Sequence, residues 1–86
     1  MHLSDTQDHA IQALMGRLIG ARVYDRLFVG VRFDEVDGGV LFLYIEDEDL
    51  AEEIELLYAL EIANVAEDVL KQNIEAVMVL GRDATN

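Results

Sequence analysis

The sequence predicts a small α+β domain in the order ααββαβ, with helices covering a three-stranded sheet. Two apolar segments, VLFLYI at residues 40–45 and AVMVL at residues 76–80, have the composition of strands inside a sheet. The long stretch between them has helical spacing, so it predicts a crossover helix that joins the two strands. The turn sequence Asp37-Gly38-Gly39 places one further strand before Val40.

Length and composition are those of a single domain over residues 1–86, with its core at about residues 5–80. The apolar fraction of 52% lies a little above the usual value of about 45–50%, which excludes a disordered acidic tail. No apolar run reaches the roughly 18 residues of a membrane span, and the first residues lack the features of a signal peptide. We therefore expect a cytoplasmic protein that does not bind membranes.

Two helices are predicted in the first third of the sequence. Ser4 and Gln7 have the spacing of a capping box, and apolar residues follow at helical intervals, which predicts a first helix at about residues 5–19. Gly20 is a suitable helix stop. The helical pattern resumes at residues 21–28, which predicts a short second helix that turns back on the first.

Three strands are predicted after these helices. Val29, Val31 and Phe33 alternate with polar or small residues, the period of a half-buried strand. The strand at residues 40–45 has no polar interruption, so it is covered on both faces or lies centrally in the sheet. The last strand is predicted at residues 74–80, and residues 81–86 form a polar tail.

The long helix is predicted from about Asp49 to Leu70, with Asp47 or Asp49 as its N-cap. Acidic residues at this end complement the positive end of the helix dipole, each by about 0.3–1 kcal/mol. At about 100° per residue, one apolar stripe faces the sheet. Its members are Leu50, Ile54, Leu57, Tyr58, Ile62, Val65 and Val69.

Leu56 and Leu60 point to nearly the opposite side of this helix, among acidic residues. Two leucines spaced four apart in such surroundings indicate either a groove for a partner or a homodimer contact. The structural alternative is that the two N-terminal helices pack over them.

The residue inventory argues against an enzyme. Cysteine is absent, Ser4 is the sole serine, His2 lies in a terminus that we expect to fray, and His9 has no partner at ligand spacing. The acidic runs do not have the spacing of a calcium loop, and the paired glycines lie in a hairpin, where they cannot form a phosphate loop. The aromatic residues are expected to pack in the core. We therefore predict no catalytic residue, metal site or cofactor.

Charge gives the strongest functional indication. The net charge is −12, and thirteen of the eighteen acidic side chains lie at residues 29–73, where the basic residues are Arg32 and Lys71. A field of this sign repels phosphate backbones and attracts basic protein surfaces. The predicted partner is therefore a protein with a basic or apolar groove, without direct binding of nucleic acid. A purely solubilising acidic face is the alternative.

The element order resembles that of the N-terminal domain of the bacterial replication initiator DnaA, a small KH-like interaction module. The residues that carry the resemblance are those at 31–36, the turn at 37–39, the strand at 40–44, and Leu50-x-x-x-Ile54 after the acidic cap. The likeness covers about residues 11–80. It implies a surface on helix 2 and the start of the long helix that binds a replicative helicase or an initiator regulator. The residues implied there are Tyr24, Asp25, Leu50, Glu53 and Ile54.

The sequence also departs from that family. It has no tryptophan, whereas the family usually carries tryptophans, one of them associated with self-association. Leu50 takes the place of an aromatic residue. Two other functions fit the charge and the leucines. One is a small acidic inhibitor that mimics DNA, of the kind that a phage could encode. The other is a secretion-type acidic chaperone that dimerises through Leu56 and Leu60.

Overall fold

A computed structural model describes residues 1–82 and confirms the predicted ααββαβ order. Residues 83–86 of the predicted polar tail lie outside the described range. The elements are α1 (Asp5–Ile19), α2 (Ala21–Leu27), β1 (Arg32–Asp37), β2 (Val40–Ile45), α3 (Glu48–Leu70) and β3 (Ala76–Gly81).

The three strands form one mixed sheet in the order β1-β2-β3. β1 is antiparallel to β2, as a hairpin requires, and β3 is parallel to β2, as a crossover helix requires. No helix within residues 1–82 combines the length and apolarity that a bilayer crossing needs.

The caps of α1 have the predicted chemistry. The N–H of Gln7 donates to Ser4 Oγ at 3.1 Å, and the N–H of Ser4 donates to Gln7 Oε1 at 2.9 Å, which completes the capping box. Gly20 ends the helix with a φ of +92°, a conformation that favours glycine. α2 follows at once and ends at Leu27, with Phe28 as its C-cap.

The hairpin turn is confirmed, whereas β1 begins later than predicted. Gly38 and Gly39 have φ angles of +59° and +80°, the positive values that a two-residue type I′ turn needs at both positions. β1 begins at Arg32 because Val29 and Gly30 form a turn after α2, with Gly30 at a φ of +69°.

β2 lies in the centre of the sheet, which was one of the two predicted placements. Leu41, Leu43 and Ile45 are fully buried beneath the helices. The alternate residues of β2, and those beside them on β3, are only partly buried or exposed, so the opposite face of the sheet is open. We call this surface the open sheet face; its members are Val40, Phe42, Tyr44, Ala76, Met78 and Leu80.

The acidic cap of α3 is confirmed, with Asp47 as the N-cap. Its carboxylate accepts a hydrogen bond from the N–H of Asp49 at 2.9 Å, and the helix begins at Glu48. Asp49 and Glu48 lie in the first turn, where negative charge complements the helix dipole.

The predicted sheet-facing stripe of α3 is partly wrong. Ile54 and Ile62 are fully buried, but Leu57 is 55% exposed. Ala51 and Ala66 are buried instead. Alanine side chains let a helix lie close to a sheet, so the buried stripe of α3 is turned toward its alanines and away from Leu57.

Candidate protein-binding surface

The most exposed large apolar side chains of α3 form what we call the leucine ridge: Leu56, Leu57 and Leu60. They are 83%, 55% and 69% exposed, and nothing within residues 1–82 covers them. The alternative in which α1 and α2 pack over Leu56 and Leu60 is therefore excluded, because both leucines are exposed. A single exposed leucine is ordinary, but three neighbouring ones on one helix are a candidate interaction surface.

A groove lies between the first half of α3 and the free edge of β3. Its volume is about 470 Å³. The helix side supplies three glutamates beside an alanine and the first leucine of the ridge, and the strand side supplies the end of β3. The lining residues are Glu48, Ala51, Glu52, Glu55, Leu56, Val79, Leu80 and Gly81. We call this the β3 groove. The lining therefore combines apolar residues with three glutamates, which all lie on the α3 side.

Gly81 brings the two walls of the β3 groove together. A Cβ built on Gly81 would overlap the backbone of Glu48 at its Cα. The last residue of β3 therefore packs directly on the first turn of α3, which only glycine allows. This contact fixes the position of the acidic wall relative to the strand.

Two glutamates of α3 satisfy backbone donors around β3. Glu55 Oε2 accepts a hydrogen bond from the N–H of Val79 at 3.2 Å, and Glu67 Oε2 accepts one from the N–H of Ile74 at 2.8 Å. Val79 is in β3, and Ile74 lies in the segment that leads into it. The carboxylate of Glu55 thus takes the place that a neighbouring strand would otherwise occupy.

Aromatic rings connect the end of helix α2 to α3. The rings of Tyr24 and Phe28 are stacked at 4.8 Å, and Phe28 meets Tyr58 of α3 at 6.4 Å. The Tyr24 hydroxyl is buried without a hydrogen-bond partner within residues 1–82. Burial raises the pKa of Tyr24, and the charges of Asp8 and Asp25 raise it further. The ring contact between α2 and α3 is therefore made by Phe28, against which Tyr24 packs.

The residues that the resemblance placed on a partner surface do not all reach the surface. Asp25 is exposed and Leu50 is partly buried. Glu53 lies 4.0 Å from Arg26 of α2 in a partly exposed ion pair, which contributes little to stability. Ile54 is fully buried, so its assignment to the partner surface is corrected: this side chain belongs to the core.

Sequence reasoning missed a polar cluster around Asp8, which is 2% exposed. Asp8 Oδ1 accepts from the N–H of Phe33 at 2.8 Å and from Gln12 at 3.1 Å, and Asp8 Oδ2 lies 3.3 Å from Arg32. Arg32 also donates to Asp5 at 2.7 Å. This hydrogen bond is the main reason why the pKa of Asp5 is lowered and that of Arg32 raised. The cluster ties α1 to β1.

The first three residues pair with the outer edge of β1, so the expectation of a frayed terminus at His2 is wrong. The N–H of Leu3 donates to Asp34 O at 2.8 Å, and the N–H of Val36 donates to Met1 O at 2.9 Å. His2 forms a β-bridge with Glu35 between these bonds. The side chains of His2, Asp34 and Glu35 come within 4.8 Å of one another, but Arg32 lies 3.9 Å from Asp34, which opposes a cation there.

The comparisons with known proteins do not assign a family. The sequence matches no protein-family model, and it matches no curated protein. The candidate function therefore depends on the surfaces described above.

Proposed function

We propose that this protein is a non-enzymatic, cytoplasmic interaction module that binds a protein partner through the leucine ridge and its acidic surroundings. The exposure of Leu56, Leu57 and Leu60 is the observation that supports this proposal. Leucine side chains kept in water cost free energy that a partner recovers by covering them, at about 25 cal/mol per Å² of buried apolar area.

The charge around the ridge defines the partner. Glu52, Glu53 and Glu55 lie on the same helix as the ridge, and the chain has a net charge of −12. We infer a partner surface that is apolar at its centre and basic at its rim. Association with such a surface is faster at low salt, because opposite charges steer the encounter.

The resemblance to the DnaA N-terminal domain supports a replication protein as this partner. It suggests a replicative helicase or an initiator regulator, with Asp25, Leu50 and Glu53 contributing beside the leucine ridge. Leu50 and Arg26 border one shallow depression, so the surface of α2 and that of α3 adjoin at this place.

A pull-down with the immobilised protein tests the proposal. At low salt we expect a replicative helicase or an initiator regulator to be recovered from a bacterial lysate, and to be released as the salt concentration rises. The double variant Leu56→Ser/Leu60→Ser should lose this capture. Leu18→Ser is the matched control, since Leu18 is a singly exposed leucine on α1, 56% exposed. Absence of any replication protein at low salt would contradict the proposal.

The same variants separate this function from that of a DNA mimic. A DNA mimic presents carboxylates to a basic groove and does not need the leucines. If Leu56→Ser/Leu60→Ser still displaces DNA from a DNA-binding protein, the mimic is the correct function. If the double variant becomes monomeric while the unaltered protein is a dimer, the ridge is a homodimer contact.

A further inference from the structure

The two edges of the sheet differ in how their backbone groups are satisfied. Within residues 1–82, β3 pairs only with β2, so its other edge faces the β3 groove. Backbone groups alternate along a strand, and the N–H of Val79 points away from β2 to Glu55. Val77, two residues earlier, presents its backbone groups to the same free edge.

We propose, building on the function above, that β3 accepts an added strand from the protein partner, and that this strand alternates basic and apolar side chains. β3 spans Ala76–Gly81, six residues, so the added segment would also be about six residues long. Each residue of the two strands advances by about 3.3 Å, so the segment would run along the whole of β3. Strand addition supplies backbone hydrogen bonds, which are independent of the partner's sequence, and the two sides of the added strand supply specificity.

The side of the added strand that faces α3 would carry the basic residues. Glu48, Glu52 and Glu55 line that wall of the β3 groove, and none of the described residues that line the groove is basic. Lysine or arginine side chains there would place their charge near the glutamates and their aliphatic stems over Leu56. The groove therefore has the charge that selects a basic segment.

The opposite side of the added strand would carry the apolar residues. It would extend the open sheet face, where Met78 is 43% exposed and Leu80 is partly buried. Apolar side chains beside these two residues would cover surface that β3 leaves in water.

Glu55 would act as a displaceable cap. In the free protein its carboxylate accepts the N–H of Val79 at 3.2 Å. A carbonyl of the added strand would take over that N–H, and the released carboxylate would pair with a basic side chain of the same strand. The N–H of Val79 would thus have an acceptor both before and after the strand is added.

A second copy of this chain fits the edge less well. β3 itself carries no basic residue, so pairing of two β3 strands would add no cation. It would also bring two sets of Glu48, Glu52 and Glu55 toward each other, in chains that each have a net charge of −12. Like charges at this proximity oppose association.

Nuclear magnetic resonance titration with synthetic peptides provides the test. The probe is a peptide of alternating valine and lysine; the controls are alternating valine and glutamate, and the valine-lysine peptide with proline at its centre. We expect the probe alone to bind and to slow hydrogen exchange at the amides of Val77 and Val79 by about tenfold or more. Equal binding of all three peptides, or no protection of these amides by the probe, would overturn the proposal.

Two protein variants locate the binding. Glu52→Lys reverses one charge of the groove at an exposed position and should lower the affinity for the valine-lysine peptide by about tenfold. Val79→Pro removes the edge donor and should abolish edge pairing; because Val79 is also a core side chain, 5% exposed, this result is read only on a folded variant. Undiminished peptide binding by Glu52→Lys, measured on a folded variant, would show that the groove is not the site.

The outcomes distinguish this inference from the proposed function. Loss of partner capture in the leucine-ridge variants, together with unprotected β3 amides, would retain the interaction module and reject strand addition. If the amides of Val77 and Val79 are protected without peptide and sedimentation shows dimers, the strand that pairs with β3 comes from a second copy of the chain, and the proposal of a basic partner strand is wrong.

Discussion

The two edges of the sheet are protected by different means. The β1 edge is closed by the chain itself: residues 1–3 pair with it, and Asp8 accepts the N–H of Phe33. The β3 edge is capped at Val79 by one side chain, Glu55, on a neighbouring helix. Backbone pairing and a buried carboxylate are costly to break, whereas an exposed glutamate can be replaced. The difference indicates a structural role for the β1 edge and supports the proposal that the β3 edge binds a partner strand.

The largest expected effect concerns the closed edge. Asp8→Ala would leave the N–H of Phe33 buried without an acceptor and remove the contact with Arg32, so we expect a loss of about 3 kcal/mol in unfolding free energy. Urea denaturation followed by circular dichroism measures it.

Two further variants of this cluster separate its contributions. Asp8→Asn keeps an oxygen for Phe33 and should cost less than Asp8→Ala. Asp5→Ala, which removes an exposed partner of Arg32, should cost least. If Asp5→Ala proves as destabilising as Asp8→Ala, the stability does not come from the hydrogen bond between Asp8 and the N–H of Phe33 at the β1 edge.

The next effect concerns the fit of β3 against α3. Gly81→Ala would force its Cβ into the backbone of Glu48, and we expect a cost of about 1–3 kcal/mol, measured by thermal unfolding. Gly16→Ala is the matched control: its Cβ would meet Tyr24 at an ordinary 3.9 Å, within a helix. That variant should gain about 0.5–1 kcal/mol, since alanine favours helix over glycine. A gain in both variants would exclude close packing at Gly81.

The difference between the edges shows which structural features a sequence pattern can predict and which it cannot. The elements were predictable because their signals are local: the Ser4 capping box, the Gly38-Gly39 turn and the Asp47 cap each involve neighbours in sequence. The role of Asp8 was not, because Phe33 lies 25 residues away. An acidic residue in the first turn of a helix is ordinarily explained by its interaction with the helix dipole. The sequence pattern therefore gives no sign that Asp8 also binds a distant strand.

The exposed surface was predictable only in part, for a geometric reason. Periodicity identified Leu56 and Leu60 as lying opposite the core, and both are exposed. It misplaced Leu57 because a pattern of large apolar residues cannot show that Ala51 and Ala66 define the buried side. Periodicity placed Ile54 on the stripe that faces the sheet, and Ile54 is fully buried there; the resemblance placed it on the partner surface, which is wrong.

A smaller effect is expected at the open edge. Glu55→Ala removes the cap on Val79 and should cost about 1 kcal/mol or less, because water can replace the carboxylate at this exposed position. Hydrogen exchange at the Val79 amide should accelerate, while exchange at Phe33 on the closed edge stays unchanged. Equal acceleration at both amides would indicate global destabilisation and remove the contrast between the edges.

The smallest effect concerns Tyr24, whose ring lies near the closed edge's Asp8. Tyr24→Phe removes a buried hydroxyl that has no partner within residues 1–82 and should raise the unfolding free energy by about 0.5–1 kcal/mol. The pKa of Tyr24 in the folded protein is raised above its ordinary value of 10.0, first by burial and then by Asp8 and Asp25. The folded state therefore holds this proton more tightly than the unfolded state does.

This shift gives the pH dependence a definite sign. The stability linked to the Tyr24 proton is fully present below pH 10.0 and is lost as the pH rises through the folded-state pKa. Unfolding free energies measured from pH 8 to about pH 11 should thus fall more steeply in the unaltered protein than in Tyr24→Phe. Parallel curves would mean that the Tyr24 hydroxyl reaches solvent and is not buried near Asp8.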